Sequence, residues 1–121
     1  MDAAALARDL IPRLRRWTPA NWARPATPVP ARTPGVGGAA AVGGGPALSR
    51  AEAAAAVVQR LADVGADAAG EPRRVVPREA DTVLADQLAV MVDDILRTGD
   101  PAAARTAAAE LSTLRTTLGY H

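Results

Sequence analysis

Residues 77–119 read PREADTVLADQLAVMVDDILRTGDPAAARTAAAELSTLRTTLG, and two apolar stripes in this stretch decide the fold. The first stripe recurs every three or four positions and consists of Leu84, Leu88, Met91, Val92, Ile95 and Leu96. The second consists of Ala104, Ala107, Leu111, Leu114 and Leu118. Such spacing places the apolar side chains on one face of a helix. Because only a few residues connect the stripes, the sequence predicts an antiparallel helical hairpin.

The connection between the stripes carries the signals of a helix end and a helix start. Gly99 suits the position just after a helix, where a left-handed backbone is common. Asp100 can cap the free N–H groups of a second helix, and Pro101 fits its first position, where no N–H is needed. These signals place the two helices at about 78–98 and 101–118. We expect Leu84, Leu88, Met91, Ile95, Leu111 and Leu114 to form their shared core.

A further helix is predicted over about 49–64. Ser49 and Glu52 have the spacing of a capping box, and Gly65 is expected to end the helix. The chain from residue 48 to residue 121 is therefore predicted to be a small bundle of three helices, and the fold class is all-α.

The N-terminal part of the chain divides into two segments. Residues 1–17 predict an amphipathic helix with Leu6, Leu10, Leu14 and Trp17 on one face; Pro12 either kinks this helix or starts a new one. Residues 18–47 contain six of the ten prolines and six of the ten glycines, and no leucine. Because ordering a backbone costs about 1–2 kcal/mol per residue, these residues are predicted to form a flexible Pro/Gly-rich linker.

Composition argues against several kinds of chemistry. The chain has no cysteine and no lysine, and its single histidine is the last residue, His121. Disulfides, thiolate metal sites and a Walker loop are excluded, and we expect no catalytic residue, cofactor, metal or small-molecule substrate. No apolar run approaches the about 18–20 residues of a membrane span, and no secretory signal is evident. A non-enzymatic protein of the cytoplasm is therefore the expectation.

Two local patterns resemble ligand sites but have simpler explanations. Gly35-Val36-Gly37-Gly38-Ala39-Ala40 matches a loose dinucleotide fingerprint, yet prolines rather than a strand precede it. The predicted helix 78–98 carries five acids, at Glu79, Asp81, Asp86, Asp93 and Asp94. Without a supporting histidine, a solvated helix face is favoured over a metal site, and Asp93 and Arg97 have the spacing of an exposed ion pair.

Charge is distributed unevenly along the chain. The net charge is +1. Residues 1–48 hold six arginines against two aspartates, a net +4, whereas residues 49–121 hold eight arginines against eleven acids, a net −3. A basic arm and a helix-turn-helix-like hairpin suggest, as the alternative function, a nucleic-acid-associated regulator that uses Arg105, Thr106, Ser112, Arg115 and Thr116. Against this alternative, the helix after Gly99 starts with alanines, which read no bases.

The favoured interpretation is a protein-interaction or accessory module. Its hairpin, residues 78–118, would offer an apolar groove or seam to a helix of another protein or of a second copy of the chain. Trp17 and Trp22 are the candidate anchors, because buried aromatic side chains dominate contact energies. Arg73, Arg74 and Arg78 are the candidate contacts to an acidic partner, since the guanidinium group suits carboxylates.

Overall fold

The computed structural model describes residues 1–27 and 48–120, and within these ranges it contains five α-helices and no strand. The helices are α1 (Ala3–Arg15), α2 (Pro19–Ala23), α3 (Arg50–Ala69), α4 (Leu84–Thr98) and α5 (Pro101–Thr117), and a 3₁₀ turn (Asp81–Val83) precedes α4. The all-α prediction is confirmed. In the described part of the chain, no helix has the length and apolar character that crossing a bilayer requires.

The four long helices pack around one core. α3 packs on both α4 and α5, and α1 packs on the same two helices from the opposite side. The helices α4 and α5, which the sequence joins into a hairpin, contact each other less than they contact α1 and α3. The apolar stripes of the hairpin are therefore covered mainly by the other two long helices.

The turn between α4 and α5 follows the predicted signals. Gly99 has a φ of 70°, in the left-handed region. The Asp100 carboxylate accepts hydrogen bonds from the N–H groups of Ala102 and Ala103 at 2.9 and 3.3 Å, and Pro101 opens α5. Five of the six predicted core residues are at most 1% exposed: Leu84, Leu88, Ile95, Leu111 and Leu114. The sixth, Met91, is only partly buried and packs at the edge of the core.

The N-terminal helix docks on the bundle. The Asp2 carboxylate caps α1 by accepting a hydrogen bond from the Ala5 N–H at 2.8 Å. The helix continues through Pro12, whose side chain is exposed, and it ends at Arg15. Its buried face combines the predicted leucines with Ile11, so α1 supplies apolar area to a core that the three C-terminal helices would otherwise leave open.

The predicted start of the linker is wrong, because residues 19–23 form α2. Thr18 caps this short helix by accepting a hydrogen bond from the Asn21 N–H at 3.3 Å, and Trp22 on it is 0% exposed. The average composition of residues 18–47 predicts a linker, but a single tryptophan side chain can bury enough apolar area to order a short helix. The remainder of the predicted linker, 28–47, and the Gly35–Ala40 pattern within it lie outside the described residues.

Two helix boundaries also differ from the prediction. Helix α3 does not end at Val64 but runs on to Ala69, and Gly70, with a φ of 71°, takes the terminal left-handed position. Gly65 lies inside α3, where a methyl group built on it would be 3.4 Å from Ile95 Cγ1. Helix α4 begins at Leu84 rather than at residue 78, because residues 78–80 are not helical and a 3₁₀ turn, Asp81–Val83, precedes the helix. Hydrophobic periodicity does not distinguish such a turn from the start of an α-helix.

The start of α3 is the capping box that the sequence predicts. The Ser49 Oγ accepts a hydrogen bond from the Glu52 N–H at 3.0 Å, and the Glu52 carboxylate accepts one from the Ser49 N–H at 2.9 Å. The hydrogen bond that the Ser49 N–H donates to the carboxylate is the main cause that holds the pKa of Glu52 below its ordinary value of 4.5, and the Ser49 hydroxyl adds a smaller effect in the same direction.

Candidate partner-binding surfaces

The chain's three aromatic side chains meet in one cluster. The rings of Trp17 and Trp22 are 4.8 Å apart and edge-on, and those of Trp17 and Tyr120 are 6.0 Å apart and stacked. The Trp17 Nε1–H donates to the Tyr120 hydroxyl at 2.9 Å. Guanidinium groups lie over two of the rings, Arg50 over Trp17 and Arg13 over Tyr120, each at 5.0 Å from the ring centre. This aromatic cluster joins the N-terminal segment to the end of α5.

Trp17 and Trp22, the two predicted partner anchors, both belong to this aromatic cluster. Trp22 is fully buried, so its side chain is not presented to a partner. Trp17 is partly buried and already contacts two aromatic rings and a guanidinium group. Both tryptophans thus contribute to the intramolecular docking of residues 1–27. Both tryptophans therefore pack within the chain itself and are not used as anchors in the proposed function.

The three predicted arginines do not form one site. Arg73 makes a two-pronged ion pair with Asp67, at 3.0 and 2.7 Å, which lowers the pKa of the Asp67 carboxyl and raises that of Arg73. Arg78 binds the Asp81 carboxylate at 2.7 Å. Arg74 has no ionic partner among the described residues. It is therefore the one member of the set whose charge is left for another molecule.

Arg74 belongs to a segment that is fastened to α3, and we call this segment, 71–77, the strap. The Gln59 side chain of α3 holds it at two points. Gln59 Nε2 donates to the Arg74 carbonyl at 3.0 Å, and the Val76 N–H donates to Gln59 Oε1 at 2.8 Å. Val75 lies between these two bonds and is 86% exposed. Val75 is therefore an aliphatic side chain that is exposed to solvent on a backbone fixed by two hydrogen bonds.

A groove of about 600 Å³ lies between the strap, α3 and α4, and we call it the strap groove. Small residues of α3, including Gly65 and Ala66, leave room in it, and Met91 of α4 forms part of its wall. Arg74 and Val75 line it from the strap side. The groove therefore offers an apolar floor, an adaptable methionine and an exposed valine next to an unpaired guanidinium group.

A second groove, of about 500 Å³, runs between α1 and α4, and we call it the α1/α4 groove. Its apolar lining comes from both helices: Ala4, Ala7, Ile11, Ala89, Val92 and Leu96. Leu96 is 41% exposed. Arg8 and Arg15 line the groove on the α1 side, and Asp93 lines it on the α4 side. Sequence reasoning missed this groove, because it exists only once α1 has docked on α4.

The acidic residues near the start of α4 and along it are mostly engaged in exposed ion pairs. Asp93 pairs with Arg97 at 2.8 Å, as the spacing predicts, and Asp86 pairs with Arg15 of α1 at 3.0 Å. Within residues 1–27 and 48–120, no group of three or more metal-ligating side chains comes together. The acids therefore serve as surface charges in this structure and show no arrangement suited to a cation.

The residues of the nucleic-acid alternative are placed unevenly. Arg105 is exposed near the start of α5, whereas Arg115 is partly buried and lies 3.4 Å from the Asp9 carboxylate of α1. The first turn of α5 carries the Asp100 cap and alanines. Arg13 and Arg15, which belong to the predicted basic arm, are paired with Asp9 and Asp86. Arg8, Arg16 and Arg24 of the same arm are exposed and form no ion pair with the described residues, so this alternative stays a prediction.

No protein-family model, no curated protein and no solved structure matches this chain. Function is therefore inferred from the geometry of its surfaces.

Proposed function

We propose that this chain is a non-catalytic protein-interaction module of the cytoplasm that binds an apolar segment of another protein in the strap groove. The observation that carries the proposal is the position of Val75. This aliphatic side chain is held 86% exposed at the edge of a groove whose floor is built from small and apolar residues. Fully burying a valine side chain contributes about 1.5–3 kcal/mol, so a partner that covers Val75 gains binding free energy.

The lining of the groove indicates the chemistry of that partner. Gly65 and Ala66 leave space for a side chain to approach the backbone of α3, and Met91 can adjust to its shape. A helix that presents apolar residues three or four positions apart meets these requirements. Charges of both signs line the groove, at Arg74, Arg97, Glu71 and Asp94. Arg74, which has no ionic partner among the described residues, can bind a carboxylate on the same segment with two hydrogen bonds.

A selection with random peptides tests the proposal. A phage-displayed peptide library is selected on the immobilised full chain, and the enriched peptides are synthesised and titrated. We expect binders with apolar residues at helical spacing and an acidic residue. Val75→Asp should weaken them at least about tenfold, the effect of losing about 1.4 kcal/mol.

The matched control is Leu96→Lys, which alters an exposed aliphatic residue of the other groove. It should leave peptide affinity unchanged. Far-ultraviolet circular dichroism verifies that both variants keep the helical content of the parent. An absence of enrichment, or peptides that bind the Val75→Asp variant as well as the parent, would refute the assignment.

A further inference from the structure

The α1/α4 groove has charges of opposite sign along its two sides. Arg15 of α1 pairs with Asp86 of α4 at 3.0 Å, so the C-terminal end of α1 lies beside the N-terminal end of α4. The two helices therefore run in opposite directions. Arg8 lies seven residues, about two helical turns, before Arg15 on α1, and Asp93 lies seven residues after Asp86 on α4. Because the helices are antiparallel, both residues are displaced in the same direction along the groove, and both line it. The α1 side is thus basic and the α4 side acidic at two successive levels.

This pattern is self-complementary under one symmetry operation. A two-fold axis parallel to the two helices lays α1 of each copy against α4 of the other, without shifting residues along the groove. Arg8 of one copy then faces Asp93 of the second copy, and the reverse contact forms on the other side of the axis. Closed two-fold dimers require this kind of self-complementary patch. A two-fold axis perpendicular to the helices would instead place like charges together.

The groove between the charged edges is suited to a dry contact. Alanines from both helices let a second helix approach closely, and Ile11 and Leu96 supply the larger apolar side chains. Leu96 is 41% exposed in the single chain. Arg8 has no ionic partner among the described residues, whereas Asp93 already contacts Arg97 of its own helix at 2.8 Å. A second copy would cover Leu96 and pair Arg8 at the same time.

We propose that a second copy of this chain covers the α1/α4 groove, forming a two-fold dimer in which Arg8 of each copy pairs with Asp93 of the other. This interface lies on a different face of α4 from the strap groove. The dimer proposal therefore does not rest on the proposed peptide-binding function, although Arg97, which pairs with Asp93, also lines the strap groove.

Sedimentation velocity of the full chain, from micromolar to submillimolar concentrations, tests the dimer. We expect a concentration-dependent shift from monomer to dimer. Arg8→Glu and Asp93→Arg should each weaken the dimer at least about tenfold, because each change places like charges opposite each other twice. The double variant R8E/D93R reverses both charges and should recover most of the lost affinity. Leu96→Lys should also weaken the dimer.

Val75→Asp, on the strap, is the matched control and should leave the dimer unchanged. Thermal unfolding of each variant verifies that the fold is retained. A chain that stays monomeric throughout, a dimer indifferent to the charge reversals, or a double variant no better than the single ones would overturn the proposal. Because the peptide selection depends on Val75 and the dimer on Arg8, Asp93 and Leu96, failure of one proposal leaves the other standing.

Discussion

The Nε1–H of Trp17 donates a hydrogen bond to the hydroxyl of Tyr120 at 2.9 Å and so joins two side chains that are 103 residues apart. Both side chains are partly buried, and their rings are stacked. The bond fastens the end of α1 to the residues that follow α5. Its loss leaves a partly buried donor without its acceptor, which is more costly than the bond itself suggests.

We expect Tyr120→Phe to lower the free energy of unfolding by about 1 kcal/mol, because the ring stays while the acceptor goes. Urea denaturation followed by tryptophan fluorescence measures the change. The control repeats the substitution in a Trp17→Phe background, where no N–H remains to be satisfied. An equal loss in both backgrounds would show that the hydrogen bond does not contribute to stability.

Gly65→Ala should raise the free energy of unfolding by about 0.5–1 kcal/mol, since glycine inside a helix is unfavourable relative to alanine. The added methyl group would lie 3.4 Å from Ile95 Cγ1, an ordinary contact distance. Gly65→Leu should destabilise, because a larger side chain would push against α4.

Thermal and urea unfolding measure both Gly65 variants. The reverse change one position along, Ala66→Gly, is the control and should lower stability. Destabilisation by Gly65→Ala would mean that α3 and α4 cannot accommodate even a methyl group at this crossing.

The Arg73–Asp67 ion pair predicts a defined pH dependence. The hydrogen bonds from Arg73 hold the pKa of Asp67 below its ordinary value of 3.8 in the folded protein. A lowered carboxyl pKa contributes stability that is fully present above the ordinary value and is lost as the pH falls through the lowered one. Glu52, whose pKa is also lowered, adds a contribution of the same sign.

Arg73→Gln should move the pKa of Asp67 upward, towards 3.8. The free energy of unfolding should then fall less steeply as the pH is lowered into the acid range. Carboxyl chemical shifts recorded during an acid titration give the pKa directly. Arg74→Gln, at the neighbouring arginine without an ionic partner among the described residues, should leave Asp67 unchanged. Equal shifts from the two substitutions would rule out a specific pairing.

The two ends of the segment 28–47 are held together by backbone hydrogen bonds. The Ala26 N–H donates to the Leu48 carbonyl, and the Arg50 N–H to the Arg24 carbonyl, each at 2.8 Å. Replacing 28–47, twenty residues predicted to be a flexible linker, by about five residues of Gly and Ser should raise stability by about 1 kcal/mol, because a shorter loop costs less entropy to close.

Urea denaturation of this shortened chain gives the change in stability, and a Gly/Ser segment of the original length is the control. The shortened chain should keep the helical dichroism of the parent. Loss of the fold on shortening would show that residues 28–47 contribute contacts that the bundle needs.

The long helices were predictable because their signals are local. The stripes from Leu84 to Leu118 fix two helix faces, and the Ser49–Glu52 box and the Gly99-Asp100-Pro101 turn fix three helix ends. The end of α3 was not predictable, because Gly65 and Gly70 offer the same stop signal. Only the folded chain, in which Ile95 Cγ1 lies 3.4 Å from the position of a methyl group on residue 65, shows that Gly65 lies where α3 packs on α4 and not at the end of α3.

The surfaces were less predictable than the helices. The burial of Trp22 depends on where α2 lies relative to Trp17 and the end of α5, which no local pattern encodes. Arg73, Arg74 and Arg78 have the same chemistry in the sequence, yet only Arg74 forms no ion pair with the described residues. Both grooves arise from the relative placement of helices, and so they appear only in the folded chain.

The aromatic cluster gives the molecule a built-in optical probe of limited reach. The chain has two tryptophans, one tyrosine and no phenylalanine, and all three rings lie at the junction of α1, α2 and the end of α5. Intrinsic fluorescence and near-ultraviolet dichroism will therefore report whether the N-terminal segment is seated. They will be almost silent about events at the strap, where an extrinsic label is needed.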